Sequence, residues 1–222
     1  MQYSYCPLAG QSTLDLDVKE YNHIFKVRRV AVGQNLVWCN LKDDTFYTYK
    51  IQSISKKQAH LELIYSLKEE KNNSCKLHVG WSIVDPKTIE KNLAMLNELG
   101  VQKISFVYAD FSQKNYKIDE KRLQRIVINS SEQCGRTSLM QFEIISSVKE
   151  YLQTYPKSAI IDFSANELPN DSAIAEFLVG PEGGFSEDER ELFAKKSVFG
   201  LKSSHILKSE TALIGICAKL SI

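Results

Sequence analysis

Leu178-Val179-Gly180-Pro181-Glu182-Gly183-Gly184-Phe185-Ser186 and, further along, Ile206-Leu207-Lys208-Ser209-Glu210-Thr211-Ala212 are built alike. Each runs from an apolar strand end into residues that cannot continue a strand, and then opens a helix. In the first, Gly180, Gly183 and Gly184 permit φ values that other residues avoid and let a ligand reach bare backbone. Pro181 fixes one dihedral between them, so the loop has a shape. Ser186 followed by Glu189 is a capping-box pattern, which predicts a helix through Arg190, Leu192 and Phe193. The free amides of such a loop can bind a phosphate, a carboxylate or the polar edge of a base. The glycine spacing matches neither the dinucleotide fingerprint nor the P-loop. A glycine turn before a helix also has a purely structural reading, and taken alone this pattern leaves both open.

Working outward, the chain upstream of these loops alternates strands and helices. Lys76 to Val84 reads as a strand, and Asp85-Pro86 supplies an N-cap and a proline at the first helical position. Ile89, Leu93 and Leu96 line one helix face, with Gly100 placed to end it. A strand over Ile104–Tyr108, a helix from about Asp119 to Cys134, and strands at Phe142–Ile145 and Ala159–Phe163 follow, with a short helix near Val148–Leu152. This rhythm calls for a parallel α/β sheet. The closing segment Thr211–Leu220 is nearly all apolar, so it is expected to be buried on most sides. It serves equally as a core helix or as one packed on its own sheet and a second subunit.

Residues 1 to about 70 read differently. Leu36–Cys39, Phe46–Ile51 and His60–Ile64 are β-rich runs, with Lys42-Asp43-Asp44-Thr45 as a hairpin turn between the first two. One helix around Glu20–Val30 interrupts them. Short strands plus one helix suggest a compact β-barrel-like module, and the polar stretch Lys68–Ser74 is the candidate linker. The expected domains are therefore 1–70 and 75–222.

Composition narrows the function classes. Hydrophobic residues make up 43% and charged residues 25%, as in ordinary globular proteins. A net charge of +1 provides no global basic field, so any nucleic-acid contact must come from local patches. No apolar run is long enough for a membrane span. Five cysteines, none in a Cys-x-x-Cys pair, and four histidines without ligand spacing argue against a metal site and for a reducing, cytoplasmic compartment.

Four segments then combine. Gly180–Ser186, Ile206–Ala212, Glu98-Leu99-Gly100-Val101 and Glu132-Gln133-Cys134-Gly135-Arg136 stand in the order and spacing of a known family, and His23–Gly33 matches its His…Arg…Gly element. The chain resembles the bacterial 16S ribosomal RNA uridine-N3 methyltransferases, the ribosomal small subunit methyltransferase E family of the SPOUT class. The resemblance implies an N-terminal PUA-like RNA-binding barrel and a C-terminal α/β domain with a deep trefoil knot. It also implies a homodimer that uses the closing helix, and a 16S rRNA substrate within the 30S subunit. S-adenosyl-L-methionine would lie across the two loops, contacted by Leu178, Gly180, Glu182, Gly183, Leu201, Ile206 and Leu207. The second loop departs from the family, with Ser203, His205 and Lys208 where a glycine and two arginines are usual; lysine lacks the bidentate fork of arginine.

Methyl transfer to uracil N3 requires alignment, exclusion of water and loss of the N3 proton. Arg136 is the candidate for stabilising the developing anion. Glu210 can accept the proton, although its place at a helix start suits capping equally. Lys26, Arg28 and Arg29 form a basic cluster, Lys56 and Lys57 a second, and Lys114, Lys117, Lys121, Arg122 and Arg125 a third. With His23, Arg136 and Lys208, the first cluster makes up the expected RNA contacts. Two rival readings remain: a knotted ribose 2′-O-methyltransferase, and a non-catalytic RNA-binding assembly factor.

Overall fold

The computed structural model describes residues 3–19, 21–69, 77–169 and 174–221. The chain clusters into two units, one of residues 1–72 with 128–139, the other of 73–127 with 140–222. Most of the expected linker and the start of the strand expected from Lys76 fall outside the described residues, as does Glu20.

In the first unit the described strands are β1 (Ser4–Tyr5), β2 (Thr13–Asp17), β3 (Asn35–Cys39), β4 (Thr45–Ile54) and β5 (Gln58–Lys68). They form one sheet in the order β1-β3-β4-β5-β2, antiparallel except where β1 meets β3. The β3–β4 turn follows from Asn40, whose side-chain oxygen accepts the Lys42 amide at 2.8 Å. Strand β2 escaped the sequence reading, although Leu14 and Leu16 alternate inward between exposed Thr13, Asp15 and Asp17. Trp38, Tyr49, Ile51 and Leu61 lie in the core of this unit. The helix expected over Glu20–Val30 is a single π-type stretch, His23–Val27, burying Ile24 and Phe25. Residues 128–139 join this unit because Ile128 and Leu139 pack with Tyr3, Cys39 and Leu41.

The second unit holds β6 (His78–Ser82), α1 (Pro86–Glu98), β7 (Lys103–Val107) and the first part of α2 (Glu120–Cys134). It continues with β8 (Gln141–Ile145), α3 (Val148–Thr154), β9 (Ala159–Ile161), β10 (Glu176–Val179), α4 (Glu187–Glu191), β11 (Val198–Phe199) and α5 (Ser209–Ser221). Its described strands form one all-parallel sheet, β11-β9-β10-β6-β7-β8. Asp85 caps α1 by accepting the Lys87 amide at 3.0 Å, and Gly100 takes φ +81° just beyond its end.

Two local expectations need correction. The helix expected through Phe193 stops at Glu191, and Phe193 instead sits edge-on against Phe185, centroids 5.0 Å apart, in the core. Helix α5 is buried on one face only: Leu213, Ile216 and Cys217 point inward while Gly215 is exposed, with Ile214 and Ala218 half-buried. A single sheet covers one side of a helix, so an all-round apolar helix keeps an uncovered face. Among the described residues no helix is long and apolar enough to cross a membrane.

Candidate functional site

In a parallel sheet every strand points its carboxyl end the same way, and loops leaving neighbouring strands meet there. Here β9, β10 and β11 run side by side, so the segments after Ile161, Val179 and Phe199 converge. Between them lies a cavity of about 370 Å³, within the range of small-molecule sites. Its walls are apolar at Ile161, Val179, Leu201, Ile206 and Leu207, and carry carboxylates at Asp162 and Glu182.

Three features hold the walls. Ser209, at the start of α5, donates from Oγ to the Gly180 carbonyl at 2.6 Å and accepts from Trp81 Nε1 at 3.2 Å. The two glycine- and serine-bearing loops are thereby tied to each other and to β6. Arg190 of α4 grips Asp162 in two-pronged fashion, 2.7 and 3.2 Å, and that carboxylate raises the arginine above its ordinary pKa. Gly200 passes so close to residue 164 that a Cβ would stand 2.0 Å from the Ser164 carbonyl.

The capping box forms as expected. Ser186 Oγ accepts the Glu189 amide at 3.2 Å, and Glu189 Oε2 accepts the Ser186 amide at 3.0 Å. The same pair reaches further: Ser186 Oγ donates to Asp110 Oδ2 at 2.5 Å, and the Asp110 amide donates to Glu189 Oε1 at 2.9 Å. Burial pushes the Glu189 carboxyl above its ordinary pKa, against the hydrogen bonds it accepts.

Of the residues expected around a small molecule, Gly180, Glu182, Leu201, Ile206 and Leu207 line the cavity. Leu178 does not: alternation along β10 turns its side chain into the core with Tyr151 and Ile160, while its neighbour Val179 faces the cavity. Gly183 is not in the wall either; it lies under Phe111. Lys208 is exposed outside the lining. Glu210 follows Ser209 and is half-buried, and its Oε2 is buried with no hydrogen-bond partner.

Arg136 belongs to the first unit, as do His23, Lys26, Arg28 and Arg29. Arg136 is half-buried, donates from Nε to the Ser138 carbonyl at 2.9 Å, and burial pulls it below the ordinary arginine pKa. Its own carbonyl accepts a short hydrogen bond from the Tyr3 hydroxyl. His23, Lys26, Arg28 and Arg29 are all exposed. Sequence reasoning missed Asp162, Phe163, Gly200, Ser209 and Ala212 as cavity residues. The rule that ligands bind beyond the carboxyl ends of parallel strands would have pointed to Asp162 and Phe163, which directly follow β9.

Family models match the chain nearly end to end: an RNA methyltransferase PUA domain over residues 16–64 and an RNA methyltransferase domain over 70–221. The ribosomal RNA small subunit methyltransferase E of Helicobacter pylori is 42% identical across 98% of both chains. The chain belongs to the ribosomal RNA small subunit methyltransferase E family.

Solved structures agree on the fold of this family member. A small subunit methyltransferase E from Neisseria gonorrhoeae, bound to S-adenosyl methionine, superposes with a TM-score of 0.80 at 24% identity, covering 98% of this chain and 95% of that one. A methyltransferase from Legionella pneumophila, in complex with the same cofactor, gives 0.82 at 24% identity over 99% and 96%.

Proposed function

We propose that this chain transfers a methyl group from S-adenosyl-L-methionine to N3 of a uridine in 16S ribosomal RNA of the 30S subunit. The observation that carries the reading is the Ser209–Gly180 bond, which closes two backbone-rich loops around one cavity. The cavity's chemistry fits the cofactor. Its apolar wall suits a purine and a methylene chain, and the exposed Glu182 offers a carboxylate to a cationic group. When bound, the cofactor supplies a sulfonium-activated methyl carbon, which takes the N3 lone pair as its bond to sulfur breaks.

The protein's own contribution is alignment, dryness and proton handling. Gly180, Glu182, Leu201, Ile206 and Leu207 hold the cofactor, with Leu178 and Gly183 acting from behind through the backbone shape of the loop. The N3 proton passes to Glu210, which follows the cavity residue Ser209 at the start of α5. Arg136 offsets the negative charge that develops on the ring. His23, Lys26, Arg28, Arg29 and Lys208 contact RNA phosphates. N3 lies on the pairing edge, so the uridine must be unpaired or flipped out.

The same reading takes residues 1–70 as a PUA-like RNA-binding domain and 75–222 as the transferase. It takes the close crossing of Gly200 over Ser164 as part of a trefoil knot. It makes the open face of α5, where a Cβ on Gly215 would meet nothing within 4 Å, the seat of a homodimer. A ribosomal RNA substrate also implies a cytoplasmic protein.

The test is methylation of 30S subunits from cells lacking the enzyme, with Ala212→Trp as a variant that fills the cavity. Mass analysis of the digested RNA should show 3-methyluridine with the wild type and none with the variant. Ribose 2′-O-methylation would replace the base target by the sugar. No transfer and no cofactor binding would leave only an RNA-binding scaffold.

A further inference from the structure

Phe111 and Phe163 are 57% and 72% exposed, an unfavourable position for two large apolar rings that no packing role explains. They arrive by matching routes. Phe111 leaves the β7 side of the sheet and Phe163 leaves β9, each directly after an aspartate anchored to α4 or its N-cap. Asp110 is held by Ser186 and Glu189; Asp162 is held by Arg190. The backbone before each ring is thereby pinned although the ring itself faces water.

Both rings come to the Gly183–Gly184 turn. A Cβ on Gly183 would stand 3.2 Å from Phe111 Cβ, and one on Gly184 would stand 4.0 Å from the Phe163 ring. Gly184 has φ +71°, a left-handed conformation that side chains disfavour. The turn therefore presents bare backbone flanked by two aromatic rings. Phe163 also lines the cavity, whereas Phe111 stands outside it.

The charge beside the rings identifies the occupant. Lys114 and Lys117, in the same loop as Phe111, are exposed, as are Lys121 and Arg125 on α2. Among the described residues none of these four has a carboxylate partner; Arg122 alone in that stretch is paired, with Glu90 at 2.8 Å. Lys114 and Lys117 follow Phe111 within one loop, and exposed cations combined with exposed aromatic rings are the usual platform for single-stranded nucleic acid, with cations on phosphates and rings against bases.

We propose that Phe111 and Phe163 form an aromatic rim on which an unpaired base of the RNA stacks over the Gly183–Gly184 turn, at the edge of the cavity. The proposal rests on the methyltransferase reading for its substrate. A planar ring at Phe163 can also come from the cofactor's adenine, and the experiment separates the two sources.

Phe111→Ala, Phe163→Ala, the double variant, and Phe111→Tyr with Phe163→Tyr should be compared with wild type. Four readouts suffice: calorimetric titration with S-adenosyl-L-methionine, anisotropy titration with a short labelled oligouridylate, kcat/KM on 30S subunits from cells lacking the enzyme, and sedimentation. The alanine variants should bind oligouridylate about tenfold more weakly and lose a similar factor in kcat/KM. The tyrosine variants should restore both. Sedimentation should stay unchanged in every variant, and cofactor affinity should stay unchanged in Phe111→Ala, whose ring stands outside the cavity; because both rings are exposed the variants should melt as wild type does.

Unchanged oligouridylate binding by the double variant would overturn the proposal. A loss of cofactor affinity at Phe163→Ala that matches the loss in kcat/KM would assign that ring to adenine. A change in sedimentation would assign the rim to a second copy of the chain. If the wild type transfers no methyl group, the proposed function falls, and the oligouridylate comparison still decides whether the rim binds bases.

Discussion

Ser209 Oγ sits 2.6 Å from the Gly180 carbonyl and, on its other side, 3.2 Å from Trp81 Nε1. One hydroxyl thus donates and accepts, joining α5, the loop after β10 and the central strand β6. Ser209 and Trp81 are both buried, so neither group has water as a substitute partner. Ser209→Ala leaves the indole N–H and one carbonyl unsatisfied. We expect a loss of about 1–3 kcal/mol in urea unfolding. Cofactor affinity should fall by roughly tenfold in calorimetry, because about 1.4 kcal/mol of that loss would fall on the loop geometry the ligand needs.

Gly200 allows no side chain where it passes Ser164. A Cβ placed 2.0 Å from a backbone carbonyl forces the two segments apart, unlike a contact with a flexible side-chain tip. Gly200→Ala should therefore destabilise by about 3 kcal/mol or more and abolish cofactor binding. Gly215→Ala is the informative partner, since nothing lies within 4 Å of its Cβ. In the isolated chain it should stabilise α5 by about 1 kcal/mol through helix propensity. If α5 is the dimer seat, the same change should weaken self-association, read by sedimentation.

A polar network away from the cavity sets the acid limit of stability. His78 faces Glu176 through Nδ1 at 3.0 Å and Ser105 through Nε2 at 2.6 Å, with Tyr151 and Tyr155 packed beside its ring. Burial lowers its pKa below the ordinary 6.5, against the pull of Glu176. The folded state therefore binds fewer protons than the unfolded chain, and stability falls as pH drops below about 6.5. For Glu143, burial is outweighed by hydrogen bonds from Ser105, Tyr155 and Lys103, which hold the carboxyl below the usual 4.5. Its contribution is full above that value and is lost as pH falls through the lowered one. A melting-temperature series should show two acid steps, and His78→Gln should remove the upper one only.

Arg28→Glu with Arg29→Glu tests the basic cluster of the first unit. Both are exposed, and Arg29 sits at φ +52° on the chain's exit from the π-type stretch. RNA binding should weaken at low salt and its dependence on salt should flatten, by roughly 0.7 in the log–log slope for each phosphate no longer neutralised. Unchanged affinity would remove this cluster from the RNA interface.

Much of this architecture is legible in local pattern. Asp85-Pro86 and Gly100 delimit α1, Ser186 and Glu189 start α4, and the alternation after residue 76 specifies a parallel sheet, because caps and burial period act over a few residues. Strand β2 was hidden because Thr13–Asp17 is short and carries two aspartates, which strands disfavour. The end of α4 was hidden because Phe193 obeys a distant partner, Phe185, over the helical period.

By itself the sequence determined that two apolar strand ends break into glycine- and serine-bearing loops, and five of the seven residues that the family resemblance assigns to the small molecule line one cavity. Only the tertiary structure decided which atoms face it. Whether Leu178 or Val179 points inward depends on which sheet face the cavity occupies. The roles of Asp162, Gly200 and Ser209 depend on the order β11-β9-β10, which brings Asp162 to Arg190 and Gly180 to Ser209 at hydrogen-bond distance and leaves no room for a side chain between Gly200 and Ser164. Caps and periodicity are short-range and survive in a linear reading. Strand order is a choice among long-range pairings, made by the packing of the whole core, and no single segment records it.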